Sequence, residues 1–340
     1  MSKFTKKTGF IGIDISKDTF DAALLHEQSP ESFKEKKFSN ELNGFEAMLQ
    51  WISSQKVLLS ESLFCMEHTG NYGLLLYAWL SQKGIDFCVQ PGLEIRQSLG
   101  MIRGKNDKID ARRIATYALM KKATIKPFIL PAKILIQIKQ LLTYRDQLVR
   151  IKTGLKNSLK SHQLYQKVSN LEYVIQDIGK QIQQQTERIE QVEKLIKEII
   201  ESEQGLKTNF NLATSVKGIG LVIAAFMLVT TNNFTSFDNG RKYACYIGTA
   251  PFGSTSGTSI KVKPKVSHLA NKRMKTLFSN GANSAKSWDP ELKAYYKRKL
   301  KEGKEHKLII NAISCKLVNR VFAVIERRTP YVTVYGNNFV

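Results

Sequence analysis

The sequence predicts an α/β N-terminal third, a long helical middle and a mainly α-helical C-terminal third. Three observations carry this reading. Apolar strand patterns alternate with helical periodicities as far as Lys121, and a stretch from about residue 132 is almost free of Pro and Gly. After Gly205, Gly, Ser, Thr and Asn become common again. The expected domains are therefore 1–127, 128–205 and 206–340.

In the first third, residues 10–15 are apolar and β-branched, residues 16–18 form a polar turn, and 19–24 repeat the strand pattern, which is a hairpin. A third strand near 33–38 precedes a helix carrying Phe45, Met48, Leu49 and Ile52. Residues 62–67 read as a buried strand ending in Glu67. Asn71 then caps a helix with Leu74, Leu75, Trp79 and Leu80, which Gly84 stops. Residues 85–89 form a further strand, and a helix over 110–121 follows a basic loop. A leading hairpin followed by βα units gives a mixed sheet flanked by helices.

In the middle segment Leu164, Val168, Leu171, Ile175, Ile178, Ile182, Gln185, Ile189, Val192, Ile196 and Ile199 recur at spacings of four and three. This is a heptad seam expected to form a coiled coil, and its polar member Gln185 is of the kind that fixes register. The partner helix is either the chain's own Leu135, Ile138, Leu142, Val149 segment or another subunit. In the last third, helices are expected near 221–230, 272–286 and 307–327.

The 340 residues carry 52 Lys and Arg against 29 Asp and Glu, a net charge of +23 that calls for a polyanionic partner, nucleic acid before membrane. The sequence shows no unbroken apolar run of about 18 residues, so no membrane span is expected. The basic start MSKFTKKTGF does not read as a signal peptide. Cys65, Cys88, Cys245 and Cys315 lie far apart without CxxC spacing, which suits a reducing cytoplasm rather than a zinc site or disulfide framework.

Four carboxylates stand out on this basic chain. Asp14 lies inside the apolar first strand, Glu67 ends a later strand, and Asp107 and Asp110 lie one turn apart at a helix start. Asp107 and Asp110 alone also suit a helix N-terminus, and Glu67 alone also suits a cap. Asp14 has no such reading, because carboxylates are rarely buried unless a partner holds them. Together they suggest a cluster of hard oxygen ligands for Mg²⁺ or Mn²⁺ and phosphoryl chemistry. Asp18 and Asp21 read as solvated hairpin residues.

Residues 250–259, APFGSTSGTS, read as a Ser/Thr/Gly loop among positive charges, with no hydrolase triad or G-x-S-x-G elbow nearby. Lys217, Gly218 and Gly220 resemble the turn of a helix-hairpin-helix, whose backbone N–H groups hold a phosphate. Arg103, Lys105, Arg112 and Arg113 flank the second pair of carboxylates. With Lys261, Lys263, Lys265, Lys272, Arg273 and Lys275 they are candidate phosphate contacts.

These residues fall into a pattern. GIDISK at 12–17, EHTGNY at 67–72 and KNDKIDA at 105–111 resemble the acidic motifs of DEDD-type insertion-sequence transposases, relatives of the Piv/MooV DNA invertases. VKGIG at 216–220, APF at 250–252 and SGTS at 256–259 resemble that family's C-terminal domain in the same order. The resemblance implies a RuvC-like (RNase H-like) N-terminal domain holding Mg²⁺ on Asp14, Glu67, Asp107 and Asp110. It also implies Ser256 as a nucleophile forming a covalent phosphoserine with DNA, with Ser254 and Ser259 as neighbouring hydroxyls. The implied partners are donor and target DNA, a guide (bridge) RNA whose base pairing sets specificity, and further copies of the chain as a dimer or tetramer. The implied place of action is the bacterial cytoplasm, at the nucleoid. A junction-type nuclease using water, or a non-catalytic nucleic-acid scaffold, is the alternative on the residues alone.

Overall fold

The computed structural model describes residues 2–68, 70–98, 107–250, 252–256, 260–265 and 270–332, with backbone only at 107, 108, 252–256 and 260–265. The chain divides into two compact units, Met1–Leu130 and Pro131–Val340.

The first unit runs β1 (Gly9–Ile15), β2 (Thr19–His26), β3 (Ser29–Ser39), α1 (Leu42–Ser54), β4 (Ser62–Glu67), α2 (Leu74–Gln82), β5 (Phe87–Gln90), α3 (Gly92–Ser98) and α4 (Asp107–Lys121). Its sheet has the order β3-β2-β1-β4-β5. The first three strands are antiparallel neighbours, while β4 runs parallel to β1 and β5 parallel to β4. Strand alternation sends Ile11, Ile13, Phe64 and Met66 to one face, where Phe45, Met48 and Ile52 of α1 and Leu76 and Trp79 of α2 cover them. Phe10, Leu25, Leu63 and Cys65 point to the other face, under Ile114, Ala115 and Ala118 of α4. This strand order with a helical layer on each face is RNase H-like, as expected. The helix after β4 differs in one detail: Gly73, not Asn71, occupies the N-cap of α2 and supplies no side-chain cap.

The second unit contains α5 (Lys133–Tyr165), α6 (Glu172–Glu201), α7 (Gln204–Ser215), α8 (Leu221–Thr230), α9 (Gly240–Tyr246), β6 (Phe252–Ser256), β7 (Ile260–Lys265), α10 (Lys272–Trp288), α11 (Pro290–Lys301) and α12 (His306–Arg327). The expected seam is not one helix. The chain turns between Tyr165 and Glu172, where Asn170 accepts a hydrogen bond from Glu172 N at 3.2 Å, so α5 and α6 pack side by side as an antiparallel pair. Leu164 and Val168 consequently lie exposed at the turn. The buried stripe is Ile189, Val192, Ile196 and Ile200 against Leu135, Ile138, Leu142 and Leu148, so the partner is the chain's own segment. Arg145 locks the pair by donating to Glu193 at 2.7 Å. Gln185 contributes a buried Oε1 without a hydrogen-bond partner among the described residues.

One expectation is corrected here. The serine-rich segment is half of a β-hairpin rather than a loop, with Ser254 paired to Val262 and Ser256 to Ile260. The alternating apolar and basic pattern of Ile260, Lys261, Val262 and Lys263 is the strand signal that was overlooked. Further, α12 is long and apolar enough by length and composition to cross a membrane. Half of its apolar stretch is buried, with Ile313, Leu317 and Val321 fully enclosed in the core of this unit.

The turn between α7 and α8 packs on α10 through two glycines. A Cβ on Gly218, which has φ +94°, would lie 2.5 Å from the Gly281 carbonyl oxygen, and one on Gly281 would lie 2.5 Å from that of Gly218. Gly281→Ala should therefore destabilise the protein by about 1–3 kcal/mol in thermal or denaturant unfolding. Gly179→Ala, in the open on α6, should instead stabilise it by about 0.8–1 kcal/mol.

Candidate active site

The site is built on the α4 face of the sheet. Phe10, Gly12 and Asp14 alternate with the core residues Ile11, Ile13 and Ile15, so Asp14 leaves β1 on the same face as Gly12. There α4 lies directly on the strand: a Cβ on Gly12 would come 2.2 Å from Ala111 O and 2.3 Å from Ala115 N. On β4, Leu63, Cys65 and Glu67 share that face. The parallel register pairs Gly12 with Cys65 and Ile13 with Met66, so Asp14 and Glu67 come level at the C-terminal ends of adjacent strands. Adjacent strands lie about 4.8 Å apart. Asp110 precedes Ala111 on α4, on the turn of helix that covers Gly12. Asn40 ties the neighbouring loops together, donating to Ser16 O and to Tyr72 O, both at 3.1 Å.

Asp21 is the correction on this face. It is 5% exposed rather than solvated, pairs in register with Asp14 and lies 3.4 Å from Lys37 Nζ. The sequence signal was available, since hairpin register places residue 21 opposite 14 once the turn at 16–18 is fixed. Asp18 is exposed, as expected.

Three of the four expected ligands, Asp14, Glu67 and Asp110, have described side chains. Among the described residues no three His, Cys, Asp or Glu side chains lie close enough to hold one metal ion. The Asp110 carboxylate accepts from Arg113 Nη1 at 2.7 Å, and Glu67 rests against Gly92, whose Cβ would meet Glu67 Oε1 at 1.9 Å. Of Asp107 the backbone at the start of α4 is described. The donor set nonetheless suits a hard divalent cation: two carboxylates side by side on rigid strands, with a third on the helix that packs over them.

The remaining candidates are dispersed. Ser256 ends β6 in the second unit, and Lys261, Lys263 and Lys265 occupy alternate positions of β7. Arg103, Lys105 and Ser259 lie outside the described residues. Arg112 is bound to Glu35 by two hydrogen bonds, the Nη2 one at 2.7 Å, and Arg113 to Asp110. Arg273 bonds Asp146 of α5 and stacks over Phe226 at 5.8 Å, so its guanidinium ties α10 to its neighbours. Lys217, Gly220 and Lys272 are exposed, with Gly220 at the N-cap of α8.

Two family models match this chain. The DEDD transposase model of the IS110 type covers residues 11–166, from β1 through α5. The transposase model of the IS116/IS110/IS902 family covers 211–297, including the serine hairpin. The chain belongs to the IS110-type DEDD transposases. This transposase is 27% identical over 331 residues to the pilin gene-inverting protein of Moraxella bovis, covering 95% of this chain and 97% of that protein. It is 26% identical over 265 residues to the transposase of insertion element IS1533 from Leptospira borgpetersenii, covering 69% of this chain and 73% of that one. Among solved structures, T. thermophilus RuvC in complex with a Holliday junction substrate matches at 9% identity and a TM-score of 0.28, over 36% of this chain and 99% of RuvC. The fold of the transposase's first unit rests on its strand order, not on that score.

Gly92 supports the Glu67 carboxylate, so Gly92→Ala should move that side chain with little effect on stability. With Glu67 in the metal-holding role that the family resemblance implies, DNA strand cleavage by the variant is expected to fall by about 10–100-fold. Its melting temperature should stay close to wild type. An unchanged cleavage rate would show that the position of Glu67 does not limit the reaction.

Proposed function

We infer that this transposase cuts and rejoins DNA through a covalent phosphoserine, with Asp14, Glu67, Asp107 and Asp110 holding Mg²⁺ or Mn²⁺ and Ser256 as nucleophile. The observation that carries the reading is the alignment of Asp14 with Glu67 at the ends of adjacent strands, in a chain whose second family match spans the strand bearing Ser256. The bound cation would neutralise charge on the scissile phosphate. Ser256 Oγ attacks phosphorus, giving up its proton, and the sugar oxygen of the cut strand leaves as a hydroxyl. In rejoining, a strand hydroxyl attacks the phosphoserine and the serine oxygen departs. One P–O bond is exchanged for another in each step, so the sequence of steps needs no nucleotide hydrolysis.

The carboxylates and Ser256 belong to different compact units. We propose that they meet between subunits of a dimer or tetramer, so that cleavage requires assembly. In this reading residues 1–127 form the metal domain, 128–205 a coiled-coil connector, and 206–340 the domain with the serine and a helix-hairpin-helix-like α7–α8 turn. Exposed Lys217 and Lys272, with the β7 lysines, contact phosphates of donor and target DNA. A guide RNA supplies sequence specificity by base pairing, and the reaction runs in the bacterial cytoplasm.

The test is a denaturing gel of labelled junction DNA with protein, Mg²⁺ and RNA from the element's flank. Wild type is expected to give a covalent protein–DNA band that both Ser256→Ala and Asp14→Ala lack. Cleavage that persists in Ser256→Ala without an adduct would make water the nucleophile and the protein a junction-type nuclease. Binding with no metal-dependent cleavage by wild type would leave a scaffold.

A further inference from the structure

The second unit contains a cavity of about 1030 Å³ between α10 and α12 that none of the site residues explains, although Lys275 is among its walls. Among the described residues its lining contains no carboxylate, whereas Lys275, Lys307 and Lys316 reach it from the two helices. Asn283, Asn311 and Ser279 add amide and hydroxyl groups, and Leu308, Ile310 and Ala312 give it an apolar part. Glu302, the C-cap of α11, is held by Lys299 Nζ at 2.6 Å and Arg298 Nη1 at 3.2 Å, and Glu305, the N-cap of α12, directly precedes the lining residue His306.

Two half-buried tyrosines are coupled to this wall. Lys316 Nζ sits 4.9 Å from the ring centre of Tyr295, and Lys286 Nζ sits 4.9 Å from that of Tyr296. Tyr296 also pairs through its hydroxyl with His306 Nδ1 at 2.8 Å, and His306 lines the cavity. Lysines and amides around a part-apolar hollow, with the His306 ring on its wall, are groups that hold phosphate, a base edge and the apolar face of a base. A duplex is a convex cylinder and presents its base faces to neither side, so it cannot use such a hollow. An unpaired nucleotide can.

One lining residue also lies close in sequence to the serine hairpin. Asn311 Nδ2 donates to Thr249 O at 2.7 Å, and Thr249 lines the cavity three residues before β6 begins. Ser256 lies seven positions after Thr249, a reach of at most about 25 Å along an extended chain.

We propose that this cavity binds an unpaired nucleotide of the DNA strand on which Ser256 acts, and so holds single-stranded DNA close to the hairpin. The choice of DNA over RNA rests on the proposed phosphoserine reaction; the binding chemistry does not. Lys307 and Lys316 hold phosphates, and the apolar wall around Ala312 takes the base. Asn283 and Asn311, whose Nδ2 groups already donate to Ser279 O and Thr249 O, offer the base edge their Oδ1 atoms and remaining N–H. Sequence reading missed the site because its residues come from two helices separated by α11, and because Lys-rich stretches read as solvated faces.

The test measures binding of full-length protein, without divalent metal, to a fluorescent 15-nucleotide DNA, the same sequence as RNA, and the 15-base-pair duplex. Lys307→Glu/Lys316→Glu is expected to weaken single-stranded DNA binding by at least about tenfold and to flatten its salt dependence. Ala312→Trp fills the cavity without changing charge and should give a similar loss. Duplex binding should change by less than about threefold in either variant. Equal losses for duplex and single strand would mean a diffuse basic surface, and a loss confined to RNA would mean an RNA site; either result overturns the proposal, as does no loss in any probe. Circular dichroism melts confirm folding, and if Ala312→Trp does not fold, the charge variant decides alone. The assay needs neither cleavage nor an adduct. A failed phosphoserine test therefore leaves this result readable, and a failed cavity test leaves the phosphoserine reading intact.

Discussion

The direct seating of α4 on β1 at Gly12 is the constraint on which the first unit depends. No side chain stands between them: helix backbone meets strand where any Cβ would lie 2.2 Å from a carbonyl oxygen. Close approach at this point carries the first turn of α4, with Asp110, toward the C-terminal ends of β1 and β4. A bulkier residue would lift the helix away from the sheet and carry one carboxylate away from the other two. Ile13 and Ile15 hold the strand from the opposite face, so the position of Asp14 is fixed by packing on both sides.

A different device organises the second unit. Asp289 is fully buried at the junction of three helices, where it accepts from Leu292 N at 2.9 Å and caps α11. The same carboxylate takes a hydrogen bond from Arg320 of α12 at 2.8 Å and one from Tyr331 at 3.2 Å. A buried charge is tolerated when it is paired and hydrogen-bonded in this way. The arrangement fixes the angle between α10, α11 and α12, and with it the width of the cavity that α10 and α12 enclose. The second unit thus adds a shared buried carboxylate to the contact without side chains that it also makes at Gly218 and Gly281.

How far the sequence was readable varied with the range of the interaction. The β1–β2 hairpin, the strand ending in Glu67 and α8 at Leu221–Thr230 follow from local periodicity and were legible. So were the long helices, apart from the turn at Asn170, where the seam of spacings ran on through a break in the chain. Asp21 was misread because a turn residue and a buried cross-strand neighbour carry the same local signature, and only the register separates them. The helix α11 was hidden under a run of lysines whose solvent face says nothing about Leu292, the residue it buries.

By itself the sequence determined the family, and with it the candidate carboxylates and serine, because those rest on residue identity and spacing along one chain. It also determined the strand hairpin and the helical middle, since hydrophobic periodicity is a local property. The tertiary structure alone decided that Asp14 and Glu67 stand level, that Arg112, Arg113 and Arg273 are spent on internal partners, and that α5 pairs with α6. It alone enclosed the cavity between α10 and α12. Each of these depends on which distant segments come to share a face, and a linear pattern leaves that choice open until packing makes it.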